Sequence, residues 1–159
     1  MKKLLFAFLL YPLFLHSAFA RDTIENYSVS DTLALEQSKS ILGDDISFYF
    51  GNTEHPPILK SYVEFSTNNK TNAFNKTDKE ACQWVFLSAM KELRNKARSV
   101  GGNAVINIKS NYRDNLTISD TTFQCGAGAI IAGVALVGDV VKLDKANITT
   151  NAPSDYQFE

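Results

Sequence analysis

Histidine and cysteine, the side chains that most often bind metals or move protons, are scarce in this chain: two of each in 159 residues. His16 falls in an apolar N-terminal stretch, so the body of the chain has His55 alone. A zinc site asks for three or four ligands, and one His with two Cys suited to a disulfide does not supply them. A hydrolase mechanism faces the same shortage, since it would have to run through His55 with Glu54 or Asp44 as its acid. Gly-Lys-Ser/Thr, the ending of a phosphate-cradling loop, is absent. The one glycine-rich run, CGAGAIIAGVALVG at 125–138, has Ile131 where a dinucleotide fingerprint requires a third small residue. That run carries no charge, yet it is too short for a bilayer span and Asp139 ends it. No cofactor and no metal is expected.

What is present is the composition of one globular domain, 45% hydrophobic and 21% charged. The opening MKKLLFAFLLYPLFLHSAFA has two lysines, an apolar run from Leu4 to Leu15 and then Ala18-Phe19-Ala20, the small-x-small pattern of a signal-peptidase site. Residues 1–20 therefore read as a signal peptide cleaved after Ala20, which predicts a periplasmic or secreted bacterial protein with no membrane span after cleavage. No Cys stands at the cleavage point to take a lipid. Loss of Lys2 and Lys3 leaves 14 basic groups against 17 acidic ones, a net charge of −3, which is not a nucleic-acid balance. In an oxidising compartment the default for Cys82 and Cys125 is a disulfide. The alternative is a reactive thiolate at Cys82, near a helix N-terminus.

The organising stretch runs from Thr77 to Tyr112. Thr77 and Glu80 have the capping-box spacing. Cys82, Val85, Phe86, Ala89, Leu93, Ala97 and Val100 then recur at the three-and-four spacing of one helix face, with Lys91, Arg94 and Arg98 on the other side. Gly101-Gly102 supplies the stop. In the strand that follows, 103–112, Ile106 and Ile108 are expected on one face and Asn107 and Lys109 on the other.

Elsewhere, Ile24, Tyr27 and Val29 suggest a short strand at 23–29, and Ser30 or Asp31 would cap one brief helix ending near Gly43. ISFYF at 46–50 alternates Ile46, Phe48 and Phe50 against Ser47 and Tyr49. A third strand at 61–67 sets Val63 and Phe65 against Tyr62 and Glu64, and Phe74 is placed to pin down the connector that follows. Residues 121–130 and 133–143 read as buried strands joined near Ala132-Gly133, with small residues that would let the long helix approach. Residues 144–159 form a polar, mobile tail. The expected organisation is a leader at 1–20, one domain at 21–143 and that tail. Sequons at Asn26, Asn75, Asn115 and Asn147 are not expected to carry glycans in a bacterial protein. The expected class is α+β: a mostly antiparallel sheet packed against one long helix at about 78–100, with a short N-terminal helix.

The pieces FYFGNTEHPP, TNAFNKTDKEACQWVFLSAMKEL, GGNAVINIKSNY and FQCGAGAIIAGVALVGDVVKL resemble a family of small exported bacterial proteins of unknown function, often labelled an excinuclease ATPase subunit. The resemblance covers residues 46–143, and neither a nucleotide-binding loop nor a zinc-finger cysteine set accompanies it. More distantly, the order helix, Gly-Gly-Asn-Ala-Val strand, Cys-containing strand is similar to the Rcs-pathway outer-membrane sensor lipoprotein and to YbjQ-type domains. That similarity implies a compact sheet covered by one long helix. The sensor's lipobox cysteine is missing, and two cysteines stand where it has four.

The functional expectation is a non-enzymatic envelope module, a binding or stress-sensing domain for an envelope protein or cell-wall component. Its surface would be the loops 52–57 and 112–119, with Asn52, Glu54, His55, Arg113 and Asp114 as candidates. The alternatives are a hydrolase-type enzyme using His55, and an oligomeric or metal-binding protein in which an edge strand at 61–67 pairs between subunits.

Overall fold

The computed structural model describes residues 22–144; the expected leader at 1–20 and residues 145–159 of the expected tail lie outside them. In chain order come β1 (Asp22–Ser28), α1 (Val29–Leu33), α2 (Glu36–Leu42), β2 (Ser47–Phe50), β3 (Ile58–Asn72), α3 (Asp78–Val100), β4 (Ala104–Tyr112), β5 (Asn115–Thr117), β6 (Thr122–Gly128) and β7 (Ile131–Leu143). Asp144, the first residue of the expected tail, is held in place, its amide donating to Pro57 O at 2.9 Å.

Helix α3 starts and stops as its sequence requires. The Glu80 amide donates to Thr77 Oγ1 at 3.2 Å, the Thr77 amide donates to Glu80 Oε2 at 2.9 Å, and Gly101 closes the last turn at φ 82°. The expected stripe is buried, apart from half-buried Val100, and Leu87 and Met90 are buried with it. Arg94 departs from its expected place on the solvent side. It is half-buried because α2 packs there, and its guanidinium donates to Ile41 O. Arg98 reaches Asp45 with both Nε and Nη2 at 2.6 Å.

Under α3 the Phe86 ring stacks on Phe123 at 4.0 Å and lies 6.0 Å from Phe50. Cys82 and Cys125, both buried, are linked and tie the first turns of α3 to β6 across 43 residues. Closing a loop of that length contributes roughly 3–4 kcal/mol by the chain-entropy argument.

The sheet is mixed and larger than a mostly antiparallel description conveys. Seven strands take part; β2 runs parallel to β4, and the other pairings are antiparallel. The parallel pair arises because α3 lies between β2 and β4 in sequence and serves as part of their crossover. Strand β7 is the hub. Along one edge it pairs with β3 over its whole length; its other edge is shared, with β6 opposite 132–133 and β4 opposite 136–141. Sharing one edge between two strands curls the sheet.

Four local expectations are corrected. The single brief N-terminal helix is replaced by two, broken at Ala34-Leu35, where Leu35 is extended and Ser38 Oγ donates back to Thr32 O at 2.7 Å. Its cap is Ser28, whose hydroxyl accepts from the Asp31 amide, so Val29 is helical and not part of the strand. Ile106 and Ile108 do not share a face. Asn107 sits at φ 53° as an extra residue against both β2 and β7, which sends Ile108 under α3 and Ile106 to the opposite side with Ala104, Val141, Leu143 and Tyr49. Asn is among the few residues that accept that φ, and its side chain donates to Asp139 Oδ2 at 2.8 Å.

In β3, Tyr62 is the extra residue between Ser61 and Val63, so its ring packs against the same core as Phe65, and its hydroxyl donates to Gly101 O at 3.1 Å; the expected opposition of these two rings fails. The fourth correction concerns the glycine-rich run. Its turn falls at Ala129-Ile130, not Ala132-Gly133, because Gly133 is paired with Gly126 inside the ladder.

Candidate functional site

Strands β6 and β7 present alternate residues to two different environments. Phe123, Cys125 and Ala127 face α3 and belong to its core. Gly126 and Gly133, opposite each other in the ladder, point the other way, and Gly128 shares the parity of Gly126. Their small size does not admit the helix, as the composition suggested. It admits Tyr112. A Cβ on Gly126 would overlap the Tyr112 phenol, and one on Gly133 would come within 3.3 Å of the same ring. The end of β4 reaches this place because it leaves β7 and lies against β6, where the Gln124 amide donates to Ser110 Oγ at 2.8 Å.

Beyond Tyr112, Arg113 and Asp114 form the two-residue turn into β5, both in the left-handed region at φ 54° and 59°. The turn aims Arg113 back over the sheet. Its Nη2 lies 2.9 and 2.7 Å from the two Asp22 oxygens, and the guanidinium stands 5.4 Å above the Tyr112 ring. The Asp22 hydrogen bond raises the Arg113 pKa from an already high value, so its charge is permanent.

The result is an open cleft of about 390 Å³ on the side of the sheet away from α3. Glycines form its floor; Tyr112, Arg113, Asp22, Lys70 and Asn68 form its walls, and Ile131 closes one end. Chemically it offers two cationic donors, a carboxylate, an amide and an aromatic ring laid flat on backbone. Such a set is chemically complementary to planar and acidic groups. The Arg113–Asp22 pair is solvent-exposed and adds little to stability.

Of the residues singled out in the sequence, Arg113 is in this cleft and Asp114 is exposed at the turn beside it. The residues of the other loop do not line the cleft. The Asn52 amide donates to Asp120 Oδ1 at 2.7 Å, and Glu54 is exposed. His55 Nδ1 donates to Pro56 O at 2.8 Å, with the ring edge-on to Tyr49 at 5.7 Å. That bond goes to a backbone carbonyl and not to Glu54 or Asp44. The start of the 52–57 loop is thereby tied to the end of the 112–119 loop, where Gly51 also lies against the Ser119 backbone, but neither Glu54 nor His55 lines the cleft. Lys70, Asn68 and Asp22 were not legible as site residues. The available signal was the glycine spacing at 126, 128 and 133, which on paired strands leaves one face bare.

Among the described residues no three His, Cys, Asp or Glu side chains are grouped to hold a metal, and no helix is long and apolar enough to cross a membrane. Compared with protein-family models, curated proteins and solved structures, the chain matches none.

Proposed function

We propose that this protein is an exported, non-catalytic binding module of the bacterial envelope, and that the Tyr112–Arg113 cleft is its recognition surface. The observation that carries the reading is the pairing of Gly126 and Gly133 beneath Tyr112, which holds an aromatic ring and a permanent cation over bare backbone. The leader-like N-terminus and the Cys82–Cys125 link support an oxidising envelope location. The partner that fits is an envelope protein segment or a cell-wall component bearing carboxylates.

The test is site-specific photocrosslinking in intact cells, with the reactive side chain at Asn68 and, as control, at Lys91 on the far side of α3. A crosslinked species from position 68 that disappears with Tyr112→Ala and Arg113→Ala is the expected result. Equal yields from positions 68 and 91 would remove the cleft as the recognition surface.

A second reading, self-assembly, is favoured by one observation: β3 pairs with β7 along one edge, and no strand among the described residues covers its other edge. Antiparallel pairing of two copies about Thr67 would place Glu64 opposite Lys70. Sedimentation decides it, since Glu64→Lys should dissociate such a dimer and Glu64→Lys with Lys70→Glu should restore it. A monomer at every concentration eliminates this reading.

A further inference from the structure

We propose that the end of the molecule bearing Phe74, Ile130 and Ile131 docks on the surface of an anionic lipid bilayer; the inference rests on the reading of residues 1–20 as an export leader. Phe74 is 61% exposed, Ile130 64% and Ile131 54%. The three line one open hollow of about 510 Å³ together with Lys70. They come from separate parts of the chain, Phe74 from the β3–α3 connection and the isoleucines from the β6–β7 turn. The Ala73 amide, donating to Ile130 O at 2.7 Å, holds the two together. Tight turns ordinarily carry Gly, Asn, Asp or Ser, so Ile130 in this turn, followed by an exposed Ile131 at the start of β7, is a departure that solvent does not reward. Phe74 does not pin its connector inward, as its position suggested; it faces out.

The surroundings have the chemistry of a bilayer interface. Lys70 lies beside the apolar tip, and Lys76 and the half-exposed Trp84 line the neighbouring hollow. Aromatic rings sit at headgroup depth, and ammonium groups beside them reach lipid phosphates. Of the nearby carboxylates, Asp22 is paired with the Arg113 cation, whereas Glu80 in the α3 cap and Asp78 at the Thr23 hydroxyl meet neutral donors, so the apolar tip carries most of the contact and the lysines add to it.

Placement selects the occupant. Asp22, where β1 begins, pairs with Gly128 next to the Ala129-Ile130 turn, so the chain before Asp22 leaves from this end. The six residues at 16–21 separate it from Leu15, the end of the apolar run. Six extended residues span about 20 Å at most. While the leader is in the bilayer, this end of the domain is therefore kept within about 20 Å of it. After cleavage, Phe74, Ile130 and Ile131 make the contact.

The test uses the chain expressed with its leader and recovered from the envelope fraction, its N-terminus read by mass spectrometry. It is floated with vesicles of phosphatidylethanolamine, with and without phosphatidylglycerol. Flotation with the phosphatidylglycerol vesicles is expected. Ile130→Ser with Ile131→Ser should lower it by about tenfold or more, as expected for apolar side chains withdrawn from the interface. Lys70→Gln should lower it about fivefold on anionic vesicles only. These side chains are exposed, so unchanged thermal unfolding will certify that the variants are folded.

Absence of flotation, or a double variant that floats as well as the native protein, overturns the proposal. So does a lipid-free oligomer that the double variant dissolves, which would assign the tip to a second copy. A start at Arg21 without flotation sinks the docking alone. A start at Met1 with flotation lost in the double variant sinks the leader reading and leaves the docking standing.

Discussion

The two faces of the β6–β7 hairpin are built from interleaved residues of one stretch, yet they obey different rules. On the α3 side, Phe123, Cys125 and Ala127 meet Phe86, Cys82 and their neighbours in a fully buried layer. On the other side, Gly126, Gly128 and Gly133 carry no side chain, and apart from Ile131 at the start of β7 the face is furnished by residues borrowed from β4 and its turn, β3 and β1. The first face fills itself and makes stability. The second is left vacant along its own strands, so its chemistry is set by whatever the curl of the sheet brings over it.

The comparison is most sharply tested by removing the central ring of the filled face. Phe86→Ala should cost about 3–5 kcal/mol, by lost burial and the cavity left behind, and a urea midpoint that hardly moves would show that α3 is not the principal clamp. Opening the disulfide with Cys82→Ser and Cys125→Ser should cost about 2–4 kcal/mol, measured the same way under oxidising conditions. On the vacant face, Gly126→Ala should expel the Tyr112 ring at about 1–3 kcal/mol. A nuclear Overhauser contact between Tyr112 and residue 126 or 133 that persists in this variant would contradict the packing described.

The smallest effect is electrostatic. The Arg98 hydrogen bond holds the Asp45 carboxyl below its ordinary pKa, and the Thr77 backbone hydrogen bond does the same for Glu80. For depressed carboxylates the stabilisation is fully present above the unfolded pKa and is lost as pH falls through the folded values. Both groups are exposed, so Arg98→Gln should flatten the acid limb of stability only slightly; a flattening near neutral pH would contradict the assignment.

Much of the filled face was legible because it is written locally. The Thr77 and Glu80 cap, the three-and-four stripe of α3 and the glycine stop all lie within one continuous segment. Two cysteines admit a single pairing, which the expected leader at 1–20 made the default. The vacant face was not legible, because it depends on register. One extra residue at Asn107 reverses the sides of Ile106 and Ile108, and nothing in INIK announces it without β2 and β7 alongside. The turn at Ala129-Ile130 is hidden for the same reason. A glycine that accommodates a ring from a distant strand looks, in sequence, like a glycine that makes a turn. Arg113 was found as a loop cation, whereas Lys70 and Asp22 enter only because β3 and β1 flank the hairpin.

The sheet's wiring also bears on when the protein is able to fold. Thr23, in the first strand, bonds to Ala127 across 104 residues, and β3 and β4 both wait for β7. Pairings at such separation close slowly, after the intervening loop entropy has been spent. In a chain exported N-terminus first, as proposed here, the leading strands would therefore cross the membrane with no partner yet available. The domain would be assembled by its last strands to arrive, so its order of synthesis keeps it threadable for as long as threading is required.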